Sequence, residues 1–207
     1  MTSPRIGALK PAHRHRIEEI LVATGVFRRE EIDVALDLFD EAVPLEGEQS
    51  RRTDEWTNEA QDDSAASHAA RSTQHAWMTP PAPGSYCFLG AFTPEDELTG
   101  FACYGPTPGT DRTFDLYWIA VHPSAQGTGS GTTLLSVVER RLEHTAAKLF
   151  VGETSSRPEY DPTRAFYRAR GWAEAARLRD FYAPSDDRVI FTKRFRTPRQ
   201  GQGAASR

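Results

Sequence analysis

Residues 126–131 read QGTGSG, inside the longer run DLYWIAVHPSAQGTGSGTTLLSVVERRLE that spans 115–143. The residues before the glycines have the apolar content of a β-strand, and the apolar residues over 134–142 recur at the spacing of an amphipathic helix. Glycines at such a junction let the backbone approach a ligand closely, and the N–H groups of the first helical turn have no partner within the helix. The stretch therefore predicts a cradle for an anion such as phosphate, or else a flexible connector.

Two well-known phosphate-binding motifs do not match these glycines. The dinucleotide-binding pattern G-x-G-x-x-G requires a glycine where the sequence has Thr132 or Leu134. The P-loop requires a Lys-Ser or Lys-Thr pair after the glycines, and none follows. The pattern that remains is Gln126-x-x-Gly129-x-Gly131.

Upstream of the glycines, the sequence predicts a strand, two helices and three antiparallel strands. The first strand covers Ile6–Leu9, and the second of the two amphipathic helices ends near Pro44. The three strands cover 86–92, 98–104 and 113–121, and they are joined by turns rich in proline, glycine and acidic residues.

The third of these strands is predicted to lie in the centre of the sheet, because both of its faces are largely apolar. Simple alternation predicts its two faces as Phe114, Leu116, Trp118 and Ala120 on one side and Asp115, Tyr117, Ile119 and Val121 on the other.

Downstream of the glycines, the helix leads into KLFVGE (148–153), a buried strand typical of a βαβ crossover. Capping and stop residues bound a short helix over 162–170, and a last hairpin pairs 173–181 with 188–195. The predicted fold class is therefore α/β, with a mixed, mostly antiparallel central sheet flanked by helices.

The chain is predicted to form one domain with an insertion. Residues 1–43 supply its N-terminal part and 85–195 its core, whereas 44–84 are polar and lack periodicity, which predicts a mobile insertion. Within the insertion, Trp56 and Trp77 are candidates for docking on the body. The tail at 196–207 is predicted to be disordered.

Composition excludes several classes of function. The 207 residues carry a formal net charge of -4, so no overall positive field attracts nucleic acid. No apolar run approaches the roughly 20 residues that span a bilayer, and no secretory signal is present, so we expect a soluble, cytoplasmic protein. Cys87 and Cys103 are expected to be reduced and buried. No metal site is expected, because the histidines share no ligand spacing with cysteines or carboxylates.

Two motifs together resemble the GNAT acetyltransferase superfamily. The pattern Gln126-x-x-Gly129-x-Gly131 is similar to that family's coenzyme A pyrophosphate loop, and TRAFYRARGW (163–172) is similar to its later helix motif. The predicted order of elements also matches the family over 6–195, except for the insertion. The resemblance implies the GNAT acyl-CoA N-acyltransferase fold and transfer of an acetyl group from acetyl-CoA to an amine by direct attack.

The resemblance also implies a coenzyme site. The loop amides would hold the pyrophosphate, and the backbone N–H of Val121 would donate to the thioester carbonyl oxygen. The residues assigned to acetyl-CoA are Ile119, Val121, Gln126, Gly127, Thr128, Gly129, Ser130, Gly131 and Tyr167.

An alkylammonium acceptor, with a pKa of about 10.4, must lose a proton before it attacks. Asp115 and Glu153 are the rival bases. The alternative is that Asp115 bonds neighbouring backbone and that Glu153 pairs with an arginine, such as Arg157 or Arg164. Tyr167 is similar in position to the family's tyrosine beside the coenzyme sulfur, which would protonate the departing thiolate. Its alternative role is a core aromatic with a satisfied hydroxyl.

The acceptor is predicted to be a small, amino-acid-like primary amine. Aromatic side chains suit a cation, and an arginine could hold a carboxylate. The residues assigned to substrate binding are Tyr117, Arg157, Tyr160 and Tyr182. A protein lysine or N-terminus, and an inactive coenzyme-A-binding module, remain alternatives. A homodimer also stays open, and no nucleic-acid or membrane partner is expected.

Overall fold

The structure is a computed structural model that describes residues 4–43 and 86–195. The predicted insertion, with Trp56 and Trp77, and the tail at 196–207 lie outside the described residues, so these two predictions remain untested.

The helices and strands occur in the predicted order, and most of their ends differ from the prediction by one to three residues. A strand and two helices open the chain, followed by the three-stranded meander, with the bounds β1 Arg5–Ala8, α1 Arg14–Thr24, α2 Arg29–Ala42, β2 Cys87–Phe92, β3 Leu98–Pro106 and β4 Thr113–Val121. The glycine run then leads into the second half, with the bounds α3 Ser130–His144, β5 Leu149–Ser155, α4 Asp161–Ala169, β6 Ala173–Ala183 and β7 Asp186–Arg194.

In the described part of the chain, seven strands form one sheet in the order β1-β2-β3-β4-β5-β7-β6. Only β4 and β5 pair in parallel, as a crossover through α3 requires. The other neighbours pair antiparallel. The predicted class, a mixed and mostly antiparallel sheet flanked by helices, is confirmed.

The sheet separates two apolar cores. Helices α1 and α2 cover one face, where Ile17 and Phe39 pack with Phe101. Helix α3 covers the other face, where Leu135 packs in the same cluster as Phe150. We call these the α1/α2 face and the α3 face. At about 25 cal/mol for each Å² of apolar area buried, the two cores are the main source of stability.

A β-bulge in β4 contradicts the predicted alternation of that strand. Tyr104 of β3 pairs with Leu116 and Cys103 pairs with Trp118, so Tyr117 is an extra residue without a direct partner. Leu116 therefore lies in the core of the α3 face, whereas Ala120 lies in the core of the α1/α2 face.

The bulge separates residues that were predicted to share a face. Ile119 packs on the α3 face, and Tyr117 packs on the α1/α2 face. Asp115 precedes the bulge and alternates with two residues of the α3 face, so it lies on the α1/α2 face. The prediction that Asp115 shares a face with Ile119 and Val121 was wrong.

Strands β4 and β5 diverge before either of them ends. Their last paired residues are Leu116 and Gly152, but β4 continues to Val121 and β5 continues to Ser155. The sheet therefore has a V-shaped opening between these strand ends. This opening is the only break that the described pairing shows between two neighbouring central strands, and it joins the two faces.

Candidate functional site

The glycine run forms the tight connection between β4 and α3. Gly129 caps the helix with φ 91°, a left-handed conformation that favours glycine. The Gln126 side chain donates from Nε2 to the Val121 carbonyl oxygen at 3.2 Å and so ties the loop to the strand. Within the described residues, the amides of Gly127, Gly129 and Gly131 have no backbone acceptor. They are available to an anion, and the helix dipole favours negative charge at the same place.

These amides face a cleft of about 380 Å³ on the α3 face, which we call the first cleft. Its lining includes Val121, Gly129, Gly131, Phe166 and Arg170. A Cβ atom at Gly131 would lie 3.6 Å from both Phe166 and Val121, at ordinary contact distance, so this glycine packs against the apolar wall of the cleft. Free amides, an arginine and an apolar wall fit the pyrophosphate and pantetheine parts of coenzyme A.

Thr128 differs from the other residues assigned to this loop. Its hydroxyl donates to the Ala125 carbonyl oxygen at 2.6 Å, and its side chain lines a separate groove beside Ser124 and Thr99. Ser130 lines both that groove and the first cleft. The side chain of Thr128 therefore stabilises the turn instead of facing the first cleft.

Arg170 is a cleft residue that the sequence reasoning missed. Its guanidinium lies 4.3 Å from the centre of the Phe166 ring and donates to the Thr132 hydroxyl. Its Nε is buried and has no hydrogen-bond partner among the residues described. The signal in the sequence was a cation next to Gly171, but helical spacing alone could not show that the side chain folds back toward α3.

Arg170→Gln is expected to weaken coenzyme A binding about tenfold, since one charge-assisted hydrogen bond to a phosphate is lost. Calorimetric titration at increasing salt would measure this, with a shallower salt dependence in the variant. Arg168→Gln is the matched control, because Arg168 lies two residues before Arg170 but pairs with Glu174 at 2.9 Å in an exposed position. Equal weakening in both variants would refute the role of Arg170.

A second cleft of about 250 Å³ continues the first cleft through the V-shaped opening. Both clefts are lined by Ile119, Val121 and Thr163. The second cleft also reaches the helix linker at Val26 on the α1/α2 face. A ligand bound in the first cleft on one face and a ligand bound in the second cleft on the other face would therefore meet at the opening.

The backbone of Val121 supplies a donor at this meeting point. The next amide, that of His122, donates to the Thr99 carbonyl oxygen on the β3 side at 2.8 Å. Successive amides of a strand point to opposite edges, so the Val121 N–H points toward β5. Because β5 has already diverged, this N–H has no partner in the described strand pairing, and its bond to the thioester carbonyl oxygen stays a prediction.

Tyr167 reaches the same opening from α4. The ring is buried, with 3% of the residue exposed, and burial raises the pKa of its phenol well above the usual value. Its hydroxyl lies 3.4 Å from the position that a Cβ at Gly152 would occupy, where β4 and β5 separate. No hydrogen bond to this hydroxyl is found among the described residues, so the predicted alternative of a satisfied core hydroxyl has no support there.

Of the two rival bases, only Glu153 lines the clefts. It borders the second cleft and a third, whereas Asp115 borders none of those described. Glu153 pairs with Arg188, which supports the alternative that this carboxylate pairs with an arginine, although the partner is neither Arg157 nor Arg164. Burial, together with the nearby Glu153 carboxylate, raises the pKa of Asp115. Asp115 thus lies near Glu153 but does not line any of the described clefts.

The third cleft, of about 170 Å³, extends the second on the α1/α2 face. It brings together all four residues that were assigned to substrate binding, Tyr117, Arg157, Tyr160 and Tyr182. Burial raises the pKa of Tyr117 to about 12, so this phenol stays neutral. Three charged residues that were not assigned also line it, namely Arg28, Glu31 and Asp186.

Neither cysteine lines any of the three clefts. Both cysteines are free; Cys103 is buried and Cys87 is half-buried, and burial raises the pKa of each thiol. The described residues contain no cluster of His, Cys, Asp and Glu that could hold a metal ion. No helix among them has the length and apolarity needed to cross a membrane.

The chain is similar to acetyltransferases of known structure. The profile of the acetyltransferase (GNAT) family matches residues 49–172. A GNAT-family protein from Desulfovibrio desulfuricans is 33% identical over 93% of this chain and 98% of its own, with a TM-score of 0.68. The ribosomal-protein-S18-alanine N-acetyltransferase from Escherichia coli shares the fold at 16% identity, with 97% of each chain covered and a TM-score of 0.59. The paia N-acetyltransferase from Thermoplasma acidophilum, in complex with coenzyme A, shares it at 17% identity, with 94% of this chain and 100% of its own covered and a TM-score of 0.55. No curated protein matches the chain.

Proposed function

The chain belongs to the GNAT acetyltransferase family, and on that premise we propose that it transfers an acetyl group from acetyl-CoA to the primary amine of a small, amino-acid-like molecule by direct attack. The observation that supports this most strongly is the continuity of the three clefts through the V-shaped opening. The loop amides lie on one face of the sheet, the charged and aromatic third cleft lies on the other, and Val121 and Tyr167 lie between them.

Each residue has a distinct part in this proposal. The amides of Gly127, Gly129 and Gly131 hold the pyrophosphate, and the Val121 N–H binds the thioester carbonyl oxygen, where negative charge develops. Acetyl-CoA supplies an acetyl group activated as a thioester. The amine nitrogen bonds to the acetyl carbon as the carbon–sulfur bond breaks, and the nitrogen's surplus proton leaves toward Glu153, directly or through water.

A small acceptor is favoured over a protein by the size of the third cleft. The hairpin of β6 and β7 places Tyr182 and Asp186 in its wall, and the cleft holds about 170 Å³. A protein acceptor needs an open groove at this place. An inactive coenzyme-A-binding module would bind acetyl-CoA without turning it over. The thiol-release assay distinguishes this alternative from an active enzyme. A cytoplasmic location and a homodimer stay predictions.

The test is amine-dependent release of the coenzyme A thiol, measured with a panel of amino acids and simple amines. Wild-type protein is expected to release thiol with at least one of them, and the rate should rise with pH as the acceptor ammonium loses its proton. Glu153→Gln is expected to lower kcat/KM about tenfold. Asp115→Asn tests the rival base and is expected to keep the wild-type kcat/KM. If both variants keep the wild-type kcat/KM, neither carboxylate is the base.

A further inference from the structure

We propose that Arg28 and Arg157 form a carboxylate-binding subsite in the third cleft, and that the acceptor is therefore a free α-amino acid. Its carboxylate binds to the two guanidinium groups while its amine extends into the second cleft. The inference rests on the proposed function, because it concerns the acceptor of that same reaction. It adds a chemical requirement, a free carboxylate close to the amine, that acetyl transfer itself does not impose.

The two arginines are gathered around a buried acid. Asp186 is only 4% exposed, and its Oδ2 lies 3.5 Å from Nε of Arg157 and 3.7 Å from Nη2 of Arg28. Its other oxygen, Oδ1, accepts a hydrogen bond from the Ser155 hydroxyl. The Asp186 carboxylate thus attracts both guanidinium groups electrostatically. In the described structure, neither guanidinium donates a hydrogen bond to it.

The Arg157 guanidinium consequently keeps an unpaired hydrogen-bond donor. Its Nε is buried and has no hydrogen-bond partner among the residues described, although the side chain lines the third cleft. A buried donor without a partner is unfavourable, and a carboxylate is the acceptor that best matches a guanidinium.

Contacts with Val26 and Tyr160 fix the orientation of Arg157. Its Nη2 donates to the Val26 carbonyl oxygen at 3.4 Å, and the Tyr160 hydroxyl donates to the same oxygen at 2.9 Å. The guanidinium also lies 5.5 Å from the centre of the Tyr160 ring. Because Val26 and Arg28 belong to the same linker between α1 and α2, this contact places both arginines in one wall.

A negatively charged residue, Glu153, lies where the third cleft meets the second cleft. Glu153 borders both the second and the third clefts, so an ammonium group approaching the opening meets a carboxylate there. Glu31 also lines the third cleft, but its carboxylate accepts the Arg28 backbone N–H at 2.7 Å and caps α2. A cleft with cations at one end and a carboxylate at the other matches a zwitterion. A diamine would place a second cation against the arginines, and a protein N-terminus would place a peptide carbonyl there.

The experiment compares matched acceptors, α-amino acids and the corresponding α-amino-acid amides, in the thiol-release assay. Wild-type protein is expected to prefer the acids by about 30-fold in kcat/KM, since the amides lose the charge-assisted hydrogen bonds. Arg157→Gln and Arg28→Gln should each lower kcat/KM for the acids while the rate with the amides changes less than about threefold. Arg28→Gln keeps the backbone N–H that Glu31 caps, so it remains informative if Arg157→Gln folds poorly.

Arg29→Gln is the matched control, because Arg29 is exposed and pairs with Glu18 and Asp33 outside the three clefts. It should leave the preference for acids intact. Equal use of acids and amides by active wild-type protein would overturn the subsite and leave the proposed function standing. An equal loss of kcat/KM for the acids and the amides in Arg157→Gln and Arg28→Gln would also overturn the subsite and leave the proposed function standing. Failure to bind acetyl-CoA would instead refute the proposed function. If no amine in the panel is turned over, N-acetylated α-amino acids and their amides are titrated into the CoA-bound protein instead. The acids are expected to bind more tightly than the amides, and equal affinity would refute the subsite.

Discussion

Replacing Gly129 with glutamate is expected to weaken acetyl-CoA binding roughly 100-fold or more in a calorimetric titration. Gly129 is the N-cap of α3 and lies among the loop amides that we assign to the pyrophosphate. The new carboxylate would bring negative charge to the place where the helix dipole and the free N–H groups favour a phosphate. It would also displace the bound anion by competing for the same donors.

Gly109→Glu separates this effect from backbone strain. Gly109 has φ 70° and Gly129 has φ 91°, and a Cβ at either position would meet no atom within 4 Å. Both variants therefore place the same charged residue in a left-handed conformation, at a cost of about 1–2 kcal/mol each. Similar thermal stabilities, with binding lost only in Gly129→Glu, are the expected result. Wild-type affinity in Gly129→Glu would leave the glycine run a mere connector.

The loop and the helix motif were predictable because local sequence determines them. A glycine at the N-cap, the apolar spacing of α3 and the capping residues of α4 are readable over a few positions, and β4 was placed at its observed bounds. The four substrate residues were chosen because aromatic and cationic side chains suit an amino-acid-like ligand, with the resemblance to the family implying where the acceptor pocket lies. The third cleft brings them together.

The features that sequence reasoning missed depend on contacts between distant segments. The bulge at Tyr117 arises from the pairing of β3 with β4, and strict alternation gave no sign of it. That single extra residue removed the argument for Asp115 as a neighbour of Val121. Likewise, nothing local to Arg28 indicated that Asp186, at the start of β7, would draw it into the acceptor cleft.

Tyr167→Phe is expected to lower kcat roughly 100-fold while the Kd for acetyl-CoA changes less than about threefold. The reason lies in the position of the hydroxyl at the V-shaped opening, where sulfur leaves as the amide forms. Because burial raises the pKa of Tyr167, the phenol stays protonated across the range of the assay. The same shift makes the phenol too weak an acid to give its proton to a thiolate, whose pKa is about 8.5. We therefore assign Tyr167 a hydrogen bond that stabilises the departing sulfur, which leaves as a thiolate and takes its proton from water.

Tyr104→Phe is the control that separates chemistry from packing. Tyr104 is as deeply buried, but its hydroxyl accepts a hydrogen bond from Arg141 at 3.1 Å and lies in the α3 core. Removing that hydroxyl should lower the free energy of unfolding by about 1–3 kcal/mol, because a charged donor loses a partner, and should change kcat little. Tyr167→Phe should show the reverse, since no hydrogen bond to its hydroxyl occurs in the described part of the chain. A variant that loses stability and keeps kcat would make Tyr167 a packing residue, and the departing sulfur would then need another donor.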